Sequence, residues 1–193
     1  MLSPVEREQY LIGHIPYRLQ SLRFCYHVCD MNITPHPDYG EELAIGEFLI
    51  LDESNRYFIN PIIESGLIYC RVLLEFLGVS RDGKSGSLKQ TSKPKKSGDI
   101  CITDFGLPVV TPSEAVSGFA YASPREIELA LQHVIETANK IVAHLTSGPR
   151  LPGTFPSLRL ACRTVIDLVI RHLYVPLGQD PIVSAISETT NAA

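Results

Sequence analysis

Pro124 to Arg150 reads PREIELALQHVIETANKIVAHLTSGPR, and its apolar residues decide the fold class. Ile127, Leu131, Val134, Ala138, Ile141 and Leu145 stand alternately four and three apart. That spacing gathers a seam on one face of an α-helix, whereas a strand would need alternation at every second residue. Ser123 supplies an N-cap, Pro124 fills the first helical position, and Glu126 completes a capping box. Thr146-Ser147-Gly148-Pro149 ends the helix with a glycine and proline stop. At about 100° per residue, Glu136, Lys140 and His144 stack one turn apart beside the seam. The plain reading of this stripe is a solvated face with an ion pair. The chemical reading groups Asn139, Lys140 and His144, with Arg150 just beyond, as a candidate catalytic corner.

The same signals recur on either side. Ser3-Pro4-Val5-Glu6 is a second capping box. It opens an amphipathic run that reaches about Asp30 and that Pro16 is expected to kink. Tyr39 to Phe58 also reads as helical, with Gly40 and Gly46 as its weak points. Asn60-Pro61 restarts the chain with a cap and a proline, and Ile62 to Leu77 is the most apolar helix, stopped by Gly78. Residues 154–175 form the last long helix, with Leu158, Ala161, Val165, Leu168 and His172 on one stripe. Residues 177–193 are a polar tail expected to fray. With no internal repeat and no alternation of strands with helices, the expected architecture is all-α: one domain spanning 1–193, an irregular bundle of four to six helices.

Bulk properties agree with a globular chain. The 193 residues are 45% hydrophobic and 20% charged, enough for a core of its own and too apolar for wholesale disorder. A net charge of −4 does not mark the whole molecule as a polyanion binder. Cys25, Cys29, Cys70, Cys101 and Cys162 are odd in number and contain no CxxC pair, so they read as reduced, mostly buried thiols. Cys25 and Cys29, one turn apart, could join His27 or His14 at a metal, but without a second cluster core packing is the simpler expectation. No run of about 18 uncharged apolar residues occurs and no leader pattern opens the chain, which predicts a cytosolic protein without a membrane partner or a cofactor.

Charge is uneven along the chain. Ser80 to Ile100 holds six Lys/Arg against two Asp, leaving eleven basic and nineteen acidic residues elsewhere. Its Ser, Gly and Lys content predicts a mobile basic loop. Lys93, Lys95 and Lys96 would be its contacts to phosphate or to an acidic partner, set against the plainer reading of a solvated insertion. Overlapping its start, Gly78 to Ser85 reads GVSRDGKS, a literal match to the GxxxxGK[ST] phosphate cradle. That cradle needs a strand before it and a helix after it. The run before Gly78 is helical in spacing, and Pro94 soon interrupts the residues after Ser85, so the match lacks its setting. Asp104-Phe105-Gly106 spells a kinase motif without companions. Glu64, Arg71 and Glu75 share one face of the apolar helix and could pair with one another or line a ligand or partner site. Arg159, Arg163, Asp167 and Arg171 climb the last helix at four-residue steps as a surface ladder.

One resemblance can be drawn. It rests on the run Ile68-Tyr69-Cys70-Arg71-Val72-Leu73-Leu74-Glu75-Phe76-Leu77, on a loop carrying Asp99 and Asp104, and on Asn139-Lys140 followed by Ala143-His144-Leu145-Thr146 and Arg150. Together these resemble a group of small bacterial helical proteins similar in turn to the HEPN superfamily. The resemblance covers two helices and part of a loop. It implies a four- to five-helix bundle, often dimeric, and in many members a ribonuclease with an Arg-x4–6-His motif on a late helix. Here the fifth residue before His144 is Asn139, which leaves Lys140 or Arg150 to supply the positive charge. His144 would then act as general acid or base on the RNA 2′-hydroxyl without a metal, in a site shared across a homodimer. The expected function is an interaction or regulatory module with a protein or RNA partner. A HEPN-like ribonuclease is the alternative, and nucleotide binding through Gly78–Ser85 a third reading.

Overall fold

The computed structural model describes residues 2–30, 42–45, 48–51, 56–91, 98–142 and 155–181. The chain begins with α1 (Pro4–Gln9) and α2 (Ile15–Asp30), joined by a π-helical turn, Tyr10–His14. An antiparallel hairpin comes next, β1 (Glu42–Ile45) with β2 (Phe48–Leu51), then the long α3 (Arg56–Leu77). A second hairpin pairs β3 (Val79–Arg81) with β4 (Leu88–Gln90). After a 3₁₀ turn, Ile102–Phe105, come α4 (Pro112–Val116), α5 (Pro124–Thr137) with a π-turn at Ala138–Val142, α6 (Phe155–Val169), a π-turn at Ile170–Tyr174, and α7 (Val175–Leu177).

The all-α bundle in one domain is what forms, with α6 at its centre packed against α2, α3 and α5. Leu158, Ala161, Val165 and Leu168 of α6 are fully buried, as their spacing requires. So are Ile127, Leu131, Val134 and Ala138 of the α5 seam. Ser3–Glu6 and Ser123–Glu126 close the expected capping boxes, and an unforeseen third box, Thr111–Glu114, opens α4.

Three expectations need correction. Tyr39 to Phe58 is not one helix: β1 and β2 lie within it. The register sets Ile45 opposite Phe48, so only Gly46 and Glu47 separate the strands in sequence. Glycine leading a two-residue connection favours a hairpin, and Phe-Leu-Ile-Leu suits a strand. Helix α3 begins at Arg56 rather than at Asn60, carrying Pro61 inside it. So near the N-terminus, proline removes a single backbone bond, the one to the carbonyl of Tyr57, and the strongly apolar face downstream outweighs that loss. The basic segment 80–100 is likewise not all loop, since β3 and β4 build a hairpin from its first half.

The two π-turns before proline share one cause. A proline ring collides with the carbonyl four residues earlier, and a widened turn relieves the collision. Both Ile15-Pro16 and Val175-Pro176 close such a turn, Ile15 N–H bonding the Tyr10 carbonyl and Val175 N–H the Ile170 carbonyl. In the first turn this register assigns the Leu11 carbonyl to the N–H that Pro16 lacks. The Tyr174 hydroxyl, from the second turn, donates to that carbonyl at 2.8 Å. The expected kink at Pro16 thus takes the form of a bulge locked by Tyr174.

Candidate functional site

The corner expected at the end of α5 is only partly within view. Asn139 and Lys140 are exposed on the Ala138–Val142 π-turn, whereas His144 and Arg150 lie outside the described residues. Lys140 forms an ion pair with Glu136, which also meets Arg81 of β3 at 3.1 Å. Lys140, followed by Arg81, holds the Glu136 carboxyl below its usual range. The expected stripe therefore begins as an ion-pair cluster fastening the second hairpin to α5. Lys93, Lys95 and Lys96 also lie outside the described residues.

The phosphate-cradle pattern at Gly78–Ser85 is built in the opposite setting, with α3 before it and β3 at its start. Its turn is closed from within: one Asp82 carboxylate oxygen accepts the N–H groups of Lys84 and Ser85, both at 2.9 Å. Asp82 is held far below the usual carboxylate range by these bonds and by Lys89 at 3.3 Å. An amide pair already serving a carboxylate is not presented to a phosphate. Asp104 likewise has a local task, accepting the Cys101 N–H at 3.0 Å, while Phe105 packs edge-on against Phe76.

The ladder on α6 and the turn after it packs on aromatic rings of α2 and of the loop between α4 and α5. Arg163 lies 3.8 Å from the centre of the Tyr121 ring, Arg171 lies 4.4 Å from that of Phe119, and Arg159 lies 4.5 Å from that of Tyr26. Arg171 also donates to the carbonyls of Ser117 and Gly118 at 3.0 and 2.9 Å. The Tyr121 hydroxyl donates to Asp167 at 3.0 Å. Burial raises the Asp167 carboxyl and lowers His172, as expected for charge taken from water.

Four of the five cysteines converge where α2, α3 and α6 meet. The Cys70 and Cys162 sulfurs are 3.8 Å apart, and Cys25 is hydrogen-bonded to Cys162 and to Cys29. Cys25, Cys70 and Cys162 are fully buried free thiols. The Cys162 contact first, then burial, raises the Cys25 thiol, and burial raises Cys162. Thiols held protonated are poor nucleophiles, so this cluster is core packing.

These groups set an alkaline limit on stability. The thiols start from 9.0 and the tyrosines from 10.0 in an open chain. Burial raises Tyr121 and pushes Tyr174 up to about 12. A raised folded-state pKa stabilises fully below the unfolded value and loses that contribution as pH climbs toward the folded one. Melting temperature should therefore fall steadily from about pH 9 to pH 11. Thermal melts followed by circular dichroism check this, and a flat profile across that window contradicts the burial.

The remaining polar set, Glu64, Arg71 and Glu75, divides. Arg71 Nε bonds Glu75 at 3.2 Å, while Glu64 is exposed farther along α3. Glu75 also borders a cavity of about 310 Å³ between the Tyr10–His14 turn, the C-terminal half of α3, Thr91 and residues 98–101. Ile15, Val72, Leu73, Phe76 and Ile100 form its apolar wall. Tyr10, Arg18, Thr91, Asp99 and Cys101 line it too, besides Glu75. Sequence reasoning missed this cavity because its walls come from three separate segments. The widened turn that brings Tyr10 there has only Pro16 as its sequence signal.

Beside the cavity, α2 and α3 present a second feature. Cys25 abuts Gly66, and Tyr17 meets Tyr69 edge-on at 5.9 Å, which makes the two helices antiparallel neighbours. On their outer side Tyr17 is 60% exposed, Phe24 50%, Ile68 41% and Val72 38%. Among the described residues, no helix is long and apolar enough to cross a membrane. No family model, curated protein or solved structure matches the chain.

Proposed function

We propose that the protein is a cytosolic, non-catalytic interaction module that docks a second copy of itself along the α2–α3 ridge. The observation that carries this reading is the exposure of Tyr17, Phe24, Ile68 and Val72 on two adjoining helices. Seven residues separate Tyr17 from Phe24 and four separate Ile68 from Val72, so each pair lies on one side of its helix. Large apolar side chains gathered in this way on a surface mark contact sites, whereas scattered ones do not.

Charge favours a second copy over an unrelated partner. Arg18 stands at the Tyr17 end of the ridge, and Glu64 stands toward the Phe24 end because α3 runs antiparallel to α2. A two-fold axis across the ridge brings the Glu64 end of each copy onto the Arg18 end of the other, the self-complementarity that an isologous contact requires. The HEPN-like resemblance, with its dimeric members, agrees with this arrangement.

Sedimentation equilibrium over a concentration series tests the proposal. The wild type should self-associate in the micromolar range. Phe24→Glu and Ile68→Glu should each weaken association at least about 30-fold, as expected for central apolar contacts. Unchanged helical circular dichroism keeps the comparison fair. A chain that stays monomeric at about 200 μM, far above that range, or variants that associate like the wild type, overturn the reading. The ribonuclease alternative rests on His144 and Arg150; metal-free RNA cleavage lost on His144→Ala would replace this proposal with that one.

A further inference from the structure

We propose that the four clustered cysteines form a redox relay, in which oxidation of the partly exposed Cys29 by a hydroperoxide ends as a buried Cys70–Cys162 disulfide joining α3 to α6. The order of the sulfurs is what points to it. Cys29 lies one helical turn beyond Cys25 near the end of α2, and the two thiols are hydrogen-bonded. Cys25 is hydrogen-bonded in turn to Cys162, whose sulfur lies 3.8 Å from that of Cys70. Cys29 alone of the four reaches the surface, and the other three are fully buried. The sulfurs therefore touch in sequence from the rim of the core to its interior. Gly66 of α3 makes the convergence possible, because a Cβ there would fill the space that the Cys25 sulfur occupies.

Each step transfers atoms between neighbours in that row. A hydroperoxide, ROOH, gives its terminal oxygen to the Cys29 sulfur, leaving a sulfenic acid and the alcohol ROH. The Cys25 thiol displaces the hydroxyl, which departs as water with the thiol proton, and a Cys25–Cys29 disulfide forms. Cys162 then attacks the Cys25 sulfur and releases Cys29 as a thiol. Cys70 attacks the Cys162 sulfur and releases Cys25. In each exchange the proton of the attacking thiol passes to the leaving sulfur. The two electrons given to the hydroperoxide come in the end from Cys70 and Cys162.

Geometry sets the direction. Residues one turn apart hold their Cβ atoms about 5–6 Å apart, whereas a disulfide wants roughly 3.5–4.5 Å. A Cys25–Cys29 bond is therefore strained, and a strained disulfide passes its oxidation on. Cys70 and Cys162 stand on different helices and need only close from 3.8 Å to a bond of about 2 Å. Protonated thiols exchange slowly, but sulfurs already in contact exchange within one molecule, where proximity offsets a weak nucleophile. Packing is the role of the reduced cluster, and the relay acts only once Cys29 is oxidised. The finished bond spans 92 residues, so oxidation would hold the bundle against unfolding.

Hydrogen peroxide on the reduced full chain tests the relay, with cysteine alkylation in denaturant and peptide mapping as the readout. The wild type should lose two of its five alkylatable thiols, and the map should show Cys70 joined to Cys162. Dithiothreitol should restore both. Cys29→Ser should slow the cross-link at least about 10-fold, and Cys70→Ala should trap the preceding Cys25–Cys162 disulfide. Cys101→Ser should react like the wild type, since that sulfur lies apart, 2.9 Å from Thr103 Oγ1. Cys29 driven to a sulfinic acid with no cross-link overturns the proposal. A disulfide between two molecules through Cys29 overturns it as well, and so does a Cys29→Ser chain that cross-links at the wild-type rate. The wild-type map carries the decision if a core variant does not fold.

Discussion

Replacing Gly78 by alanine is expected to lower stability by about 2–5 kcal/mol and the melting temperature by about 5–20 °C. Two costs combine. Gly78 has φ +91°, the left-handed region in which a Cβ is strained. A Cβ built there would also lie 2.7 Å from Val109 Cβ and 2.9 Å from the Thr91 carbonyl oxygen. The second contact is with backbone, which cannot swing aside as a side-chain tip can. Gly78 further closes α3 through its N–H on the Glu75 carbonyl at 3.1 Å and receives the Thr91 N–H on its own carbonyl at 2.7 Å. Strain at this residue therefore reaches the second hairpin and, through Thr91, the cavity wall. Urea denaturation of the variant measures the loss, and a loss under about 1 kcal/mol would mean that the helix end relaxes freely.

Tyr174→Phe is expected to cost about 1–3 kcal/mol, because it strips the Leu11 carbonyl of the donor that replaces the missing N–H of Pro16. Tyr174→Ala should cost more, about 3–5 kcal/mol, since Tyr174 is 1% exposed and its removal leaves a cavity as well. The difference between the two separates the hydroxyl from the ring. If the bond holds the bulge, adding Pro16→Ala to Tyr174→Phe should recover part of the loss, because the alanine N–H restores a backbone donor. Additive losses in the double variant would show that hydroxyl and proline act independently.

What can be read from the residues alone is whatever a short window contains. Ser3–Glu6 and Ser123–Glu126 announce helix starts because a capping box lies within four residues. The seams of α5 and α6 announce their buried faces because a helical stripe repeats within two turns. Phe48 to Leu51 misleads because a short apolar run fits a strand or a buried helix equally, and only pairing with Glu42–Ile45 decides between them. Pro61 looks like a start because a proline so near an N-terminus costs a single bond and leaves no sign of which side the helix lies on. The convergence of Cys25, Cys70 and Cys162 depends on helix packing, which residue spacing along one chain does not carry. The cavity, assembled from Tyr10, Phe76 and Asp99, is hidden for the same reason. The ridge is hidden too: Ile68 and Val72 of α3, like Tyr17 and Phe24 of α2, pass for the buried residues of ordinary apolar helices.

The bond from Tyr174 to Leu11 spans 163 residues, and that separation has a consequence for how the protein is made. A ribosome delivers the first helices long before it delivers Tyr174. Until then the bulge ahead of Pro16 has an unanswered carbonyl, and the partners of α2 on α6 have yet to be synthesised. The contact that closes the bulge, and the α6 face that covers α2, therefore form only after Tyr174 has been delivered. The thiols and apolar ridge of the N-terminal helices stay open to chaperones for nearly the whole of that interval.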